Sequence, residues 1–247
     1  VAVIGGMVET GFWQALSERF QKATENRYKI DIVASGPKHV IADAFRQGQA
    51  DLITMHASDT IINLVADGYA VDPQPWLKND LIIVGPKDDP AHIRTCADAA
   101  KAFAMIASSG APFVVHSSLG AQEVMRDVLD AGNVEMPSDH LTIIFTDRAR
   151  EVLNVAAEKH AYTLVGRIPF LNGKLPNKGL VLMVRGDPRL RRPYVVATAN
   201  PQHFPQAHVE GAVALAAFLR KPDTQHWIAG YGISQLDDQS LFFSIAK

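Results

Sequence analysis

The 247-residue sequence predicts an α/β protein built as two lobes. Three observations predict it. Short apolar runs alternate with amphipathic helical stretches over the first third of the chain, the pattern of a parallel sheet with right-handed crossovers. The alternation starts afresh after an apolar strand at 80–84 and the turn-rich segment Gly85-Pro86-Lys87-Asp88-Asp89-Pro90. A late strand, 194–199, leads into two closing helices, so the chain returns to where it began. Lobe 1 is expected to take residues 1–84 and 195–247, and lobe 2 residues 85–194. Two hinge crossings would join them around a ligand cleft, where strand ends and helix N-termini converge.

Each element follows from its pattern. The apolar run 1–4 is a strand that ends at Gly5-Gly6. Phe12, Leu16 and Phe20 then recur at helical spacing. Tyr28, Ile30 and Ile32 alternate with Lys29 and Asp31, which predicts a strand ended by Ser35-Gly36-Pro37. A helix through Ile41 and Phe45 stops at Gly48, and 51–55 is a short buried strand. His56-Ala57-Ser58 is its exit, with Ser58 placed to cap a helix that Gly68 closes. In the second series, Thr95 with Asp98 resembles a capping box before a helix through Phe103. Strands follow at 112–116, 141–145, 161–165 and 180–184, with helices through Met125 and Leu153. The basic connection 189–193 leads to the return strand, and helices follow at 209–219 and 224–229.

The totals exclude several classes. A hydrophobic content of 47% with 20% charged residues is that of an ordinary globular chain. A net charge of -2 argues against nucleic-acid binding through a broad basic surface. Apolar runs such as 81–84 and 180–184 fall far short of the roughly 20 residues that span a bilayer. Cys96 is the sole cysteine, so no intrachain disulfide or cysteine-based metal cluster can form. His160, His203, His208 and His226 lack zinc-ligand spacing, and no cofactor motif is present. The sequence starts with Val1 inside an apparent strand, which fits a processed signal peptide, although no such segment is visible.

Candidate binding residues cluster at strand exits. Gly5 and Gly6 offer backbone amides near a helix start, a setting suited to an anion; the plainer reading is a tight turn. Thr10 is read as an N-cap within reach of the same place, and Ser35, Gly36, His56 and Ser58 end neighbouring strands. His116, Ser117 and Ser118 give a second strand-to-helix turn with donors. Arg148 and Arg150 could supply a fork that matches a carboxylate or phosphate, or form a solvated helix start.

The order of segments resembles periplasmic solute-binding proteins of ABC importers, and most closely the tungstate-binding family. The resemblance is carried by 50–57, Asp67-Gly68-Tyr69, 79–91, 156–164 with Arg167, Gly186-Asp187-Pro188 and Asn200-Pro201; the run 79–91 is the most specific. It implies the two-lobed type II periplasmic-binding-protein fold, with two mixed sheets flanked by helices. It further implies an extracytoplasmic, monomeric receptor that captures a small anion, an oxyanion such as tungstate or molybdate or a small carboxylate. The partner would be a membrane permease, with neither nucleic acid nor cofactor involved. His56 and Arg167 match the family, Arg167 as a cleft or bridging residue, and the opening turn of the site falls at residues 4–7, which adds Met7. Three departures sit in that site. Residues 4–7 carry no hydroxyl, His116 stands where the family has an arginine, and Thr146-Asp147-Arg148-Ala149-Arg150 replaces a glycine-rich stretch.

Two rival classes remain. A transferase acting on an acidic substrate could use this architecture, with Glu9 or Asp147 as its acid or base. Nucleophilic catalysis at His116 and its serines lacks a Gly-x-Ser-x-Gly elbow. The effector lobes of a transcription regulator would need a helix-turn-helix, which these residues do not show.

Overall fold

The computed structural model describes residues 1–117, 119–146, 148–233, 235–236 and 238–245. In chain order the strands are β1 (Ala2–Ile4), β2 (Ala34–Gly36), β3 (Leu52–His56), β4 (Ala70–Pro86), β5 (Phe113–His116), β6 (Leu141–Ile144), β7 (Tyr162–Gly166), β8 (Leu180–Val184), β9 (Arg191–Ala199) and β10 (Phe243–Ser244). The helices are α1 (Gly5–Glu9), α2 (Phe12–Ala23), α3 (Lys38–Arg46), α4 (Asp59–Ala66), α5 (Ala99–Ser109), α6 (Leu119–Ala131), α7 (Ala149–Glu158), α8 (Arg167–Leu171), α9 (Val209–Leu219) and α10 (Pro222–Gly230). The chain divides into two compact units, Val1–Asn79 with Pro193–Lys247 and Asp80–Arg192. The division falls inside β4 and β9, a few residues before the positions expected for the crossings.

In the first unit β1 lies between β2 and β3, parallel to both, and β9 runs antiparallel to β3. The parallel strands therefore end on one edge, and α1, α3 and α4 all start there. Apolar residues on these helices and strands, among them Ile41, Phe45, Ile53, Met55 and Leu64, form a buried core. Trp13 and Trp76 pack with Phe12 in a second apolar group. Trp76 Nε1 donates to Thr54 Oγ1 at 2.7 Å, which satisfies an otherwise costly buried polar pair.

In the second unit β5 pairs in parallel with β6 and β7, while β7 and β8 both run antiparallel to β4. The sheet is thus mixed, as the family resemblance implied. One core, built on Phe103, Phe113, Val128 and Tyr162, lies between α5, α6 and the sheet. Another, built on Ile82, Val114, Leu153 and Ala156, lies under α7.

Several expectations are corrected. The alternating segment 28–32 is not a strand; the ladder begins at Ala34. A helix starts at Gly5 itself, and Gly11, at φ 72°, separates it from α2. Thr10 is consequently not an N-cap: its hydroxyl donates to Met7 O at 2.8 Å and closes the end of α1. Asp98, not Thr95, caps α5, accepting from Lys101 N at 2.9 Å. The sequence reading missed α8, whose Pro169 reads as a helix breaker.

Candidate functional site

Ligands of open α/β sheets bind beyond the C-terminal ends of parallel strands, so those edges are where a site is sought. In the first unit Ile4 is in register with Gly36, and a Cβ added to Gly5 would lie 3.4 Å from Gly36 Cα and N. The exits of β1 and β2 are therefore adjacent. Gly5 and Gly6 are half-buried, whereas the Met7 side chain is buried in the core, which leaves only its backbone to a ligand. Ser35 lies exposed on β2. At the exit of β3, Ser58 sits at the N-cap position without a side-chain capping bond; its hydroxyl donates to His56 O at 3.2 Å. His56 packs its ring on Tyr194, 4.1 Å between centroids, and its Nε2 accepts from Asn79 Nδ2 at 3.1 Å.

The larger hollow of this unit lies elsewhere. A cavity of about 400 Å³ opens at the strand N-terminal edge, lined by Val1, Leu52 and the loop 27–33. Its charged groups are matched by neighbours: Lys29 Nζ lies 3.0 Å from Asp31, Arg27 pairs with Glu210, and Asp51 accepts from His208 N at 2.9 Å. It is a loop boundary on the edge opposite the expected one.

In the second unit a cavity of about 220 Å³ sits at the ends of β5 and β7, against the starts of α6, α7 and α8. Its wall is hydrocarbon: Leu81, Ala121, Val152, Leu153, Leu164, Val165, Pro169 and Leu175, together with Ala149 and Gly166. Two basic side chains line it, His116 and Arg192. The Arg192 guanidinium lies beside the first turn of α6, its Nη1 3.3 Å from the point a Cβ on Gly120 would occupy. The sequence reading missed Arg192. Its one signal in the sequence is the basic connection 189–193.

The remaining expected residues scatter. Ser117 is described, with its amide donating to Ile144 O at 3.0 Å; Ser118 and Asp147 lie outside the described residues. Arg148 is exposed and lies 3.6 Å from Glu151, and Arg150 is exposed too; neither lines the cavity. Thr146 Oγ1 donates to Glu151 Oε2 at 2.5 Å, so this turn carries a carboxylate at its mouth. Arg167 does not line this cavity. It is fully buried, and its Nε lies 2.8 Å from Asp80 Oδ1 within the second unit. Glu9 is exposed. Among the described residues no group of three or more His, Cys, Asp or Glu is placed to hold a metal ion, and no helix is long and apolar enough to cross a membrane.

The chain is similar to proteins with assigned roles. A Haloferax volcanii protein, provisionally named an ABC transporter anion-binding protein, is 33% identical over 243 residues, covering 95% of this chain and 68% of its own length. The tungstate-binding protein TupA of Peptoclostridium acidaminophilum is 25% identical over 226 residues, covering 91% of this chain and 78% of its own. The solved structure of the tungstate-binding protein TupA from Desulfovibrio alaskensis G20 superimposes with a TM-score of 0.75 at 25% identity, covering 100% of this chain and 98% of that one. Residues 1–234 match the family described as bacterial extracellular solute-binding protein. The chain belongs to that solute-binding family.

Proposed function

We propose that the protein is an extracytoplasmic receptor that captures a small anion and delivers it to the membrane permease of an ABC importer. The family match along residues 1–234, joined to a 33%-identical relative named for anion binding, carries this reading. The geometry supports it. In each unit the helix starts and basic or hydroxyl side chains gather at the edge where parallel strands end, and helix N-termini favour negative charge. No bond in the solute is made or broken in this reading. The protein acts as a monomer.

The test is a thermal-shift and calorimetry screen of oxyanions and small carboxylates on protein unfolded and refolded to strip bound solute. A ligand present at 100 times its Kd should add about 2.7 kcal/mol to the stability of the native state. Silence from every anion would overturn the receptor reading.

A further inference from the structure

We propose that a groove on the first unit, between α2 and the extended segment 30–32, receives an extended stretch of a partner protein that carries a basic side chain. This is a surface additional to the anion site, and it does not depend on which solute the receptor holds. The groove has a volume of about 380 Å³, and its lining includes Val8, Ile30, Ile32, the Trp13 indole, Glu18 and Asp31. Trp13 is 1% exposed, and its Nε1 has no hydrogen-bond partner among the described residues. An indole N–H can only donate, and a buried donor left unmatched is costly. Such a group calls for an acceptor that the chain does not itself supply.

The backbone along the groove fits the same occupant. The Val1 nitrogen donates to Asp31 O at 2.6 Å, and Val33 N donates to Val1 O at 3.0 Å, so Asp31 and Val33 face β1. Backbone groups alternate in direction along an extended chain, which turns the Ile32 N–H and C=O away from β1. Among the described residues Ile30 and Ile32 make no backbone hydrogen bond, and β2, into which this segment leads, ends the strand order. An unpaired edge is a template for one more extended segment, whose main-chain carbonyls are acceptors of the kind Trp13 lacks. Charge selects among such segments. Among the described residues no lysine or arginine lines the groove. Glu18 meets neutral Gln14 at 3.4 Å, and Asp31 meets Lys29 at 3.0 Å in an exposed pair of the kind that holds weakly. A lysine or arginine in the incoming segment would complement both carboxylates, whereas an acidic segment would be repelled.

Nitrogen–proton NMR of the indole groups in the full chain tests this, because Trp13, Trp76 and Trp227 are the only tryptophans. Trp13→Phe assigns the Trp13 signal, or Trp76→Phe and Trp227→Phe do so by elimination. The probes are acetylated, amidated pentapeptides: Val-Lys-Val-Lys-Val and its arginine and glutamate counterparts. Main-chain pairing makes the result tolerant of the apolar residues chosen. The lysine and arginine peptides should shift the Trp13 signal to saturation and leave that of Trp76, whose Nε1 is held by Thr54, in place. The glutamate peptide should bind at least tenfold more weakly. The lysine peptide should lose as much on the double variant Glu18→Lys with Asp31→Lys. It should lose as much on Ile32→Pro, which removes an amide that bonds nothing in the free protein. A Trp13 signal unmoved by both basic peptides overturns the inference and leaves water as the partner of the indole N–H. Equal binding of the glutamate peptide, or unchanged binding to Ile32→Pro or to the double variant, also overturns it. Anion capture stands or falls separately, by its own screen.

Discussion

Arg167 Nε donates to both carboxylate oxygens of Asp80, at 2.8 and 3.0 Å, and both side chains are buried. Removing one partner from a buried pair leaves a charge in low dielectric, which costs about 3–5 kcal/mol. Replacing both by apolar groups of similar shape is often close to neutral. Arg167→Ala should therefore lower the melting temperature by many degrees, and Arg167→Met with Asp80→Leu should recover much of the loss. If Arg167→Ala instead left stability intact and weakened only ligand binding, the residue would be a site residue after all.

Gly85 and Tyr162 form a second dependent pair. A Cβ on Gly85 would lie 2.2 Å from the Tyr162 ring, closer than atoms can approach. The ring is held in place, since Tyr162 Oη donates to Asp89 Oδ1 at 2.8 Å and accepts from Ala91 N at 2.9 Å. Overpacking of this kind costs about 1–3 kcal/mol. Gly85→Ala should destabilise by that amount in chemical denaturation. Adding it to Tyr162→Ala should cost less than the sum of the two, because the clash is then gone. Strict additivity would show that the contact is relieved by backbone movement.

Both pairs lie in or beside the run 79–91, which carried the family resemblance, and the fold was most legible there because its residues answer to packing. The alternation of helix and strand was legible for the same reason: core positions such as Phe103 and Leu153 repeat with the period of their element. Period alone misled at 28–32. Tyr28 stacks on Phe20 and Ile30 is buried, so the alternation records an extended chain, but no neighbouring strand pairs with it there. The site was less legible. Arg148 and Arg150 stood out by spacing, yet they face solvent, while Arg192 reaches a cavity whose other walls come from residues 81 to 175. Only tertiary structure brings those together.

The acid limb of stability should be set in part by Asp187 and Asp98. Burial alone would raise the Asp187 carboxyl, but the Arg189 guanidinium and the amides of Ala99 and Arg189 outweigh it and hold it below its usual range. The Lys101 amide, then Arg189, lowers Asp98 likewise. A depressed folded value means stability that is complete above the unfolded value, about 3.9. It is lost as pH falls through the folded values below that. Asp187→Asn should thus melt below the parent protein at pH 7, with the gap closing as pH falls below about 4. A gap that does not change with pH would assign the loss to geometry alone.

Gly6 separates turn from site. It lies in α1 with no heavy atom within 4 Å of an added Cβ and without a positive φ, so alanine fits. Alanine is favoured over glycine within a helix by about 0.5–1 kcal/mol. A gain of that size should raise the melting temperature of a chain this long by roughly 1–4 °C. The added methyl would enter open space beside the Gly5–Gly6 turn, whose amides the sequence offers to an anion. Gly6→Ala should then give a protein that is more stable and binds its anion at least tenfold more weakly by calorimetry. A stabilised variant with unchanged affinity would reduce the Gly5–Gly6 turn to a helix start. The second unit, where Arg192 and His116 line the hydrocarbon cavity, would then have to supply the anion's main contacts.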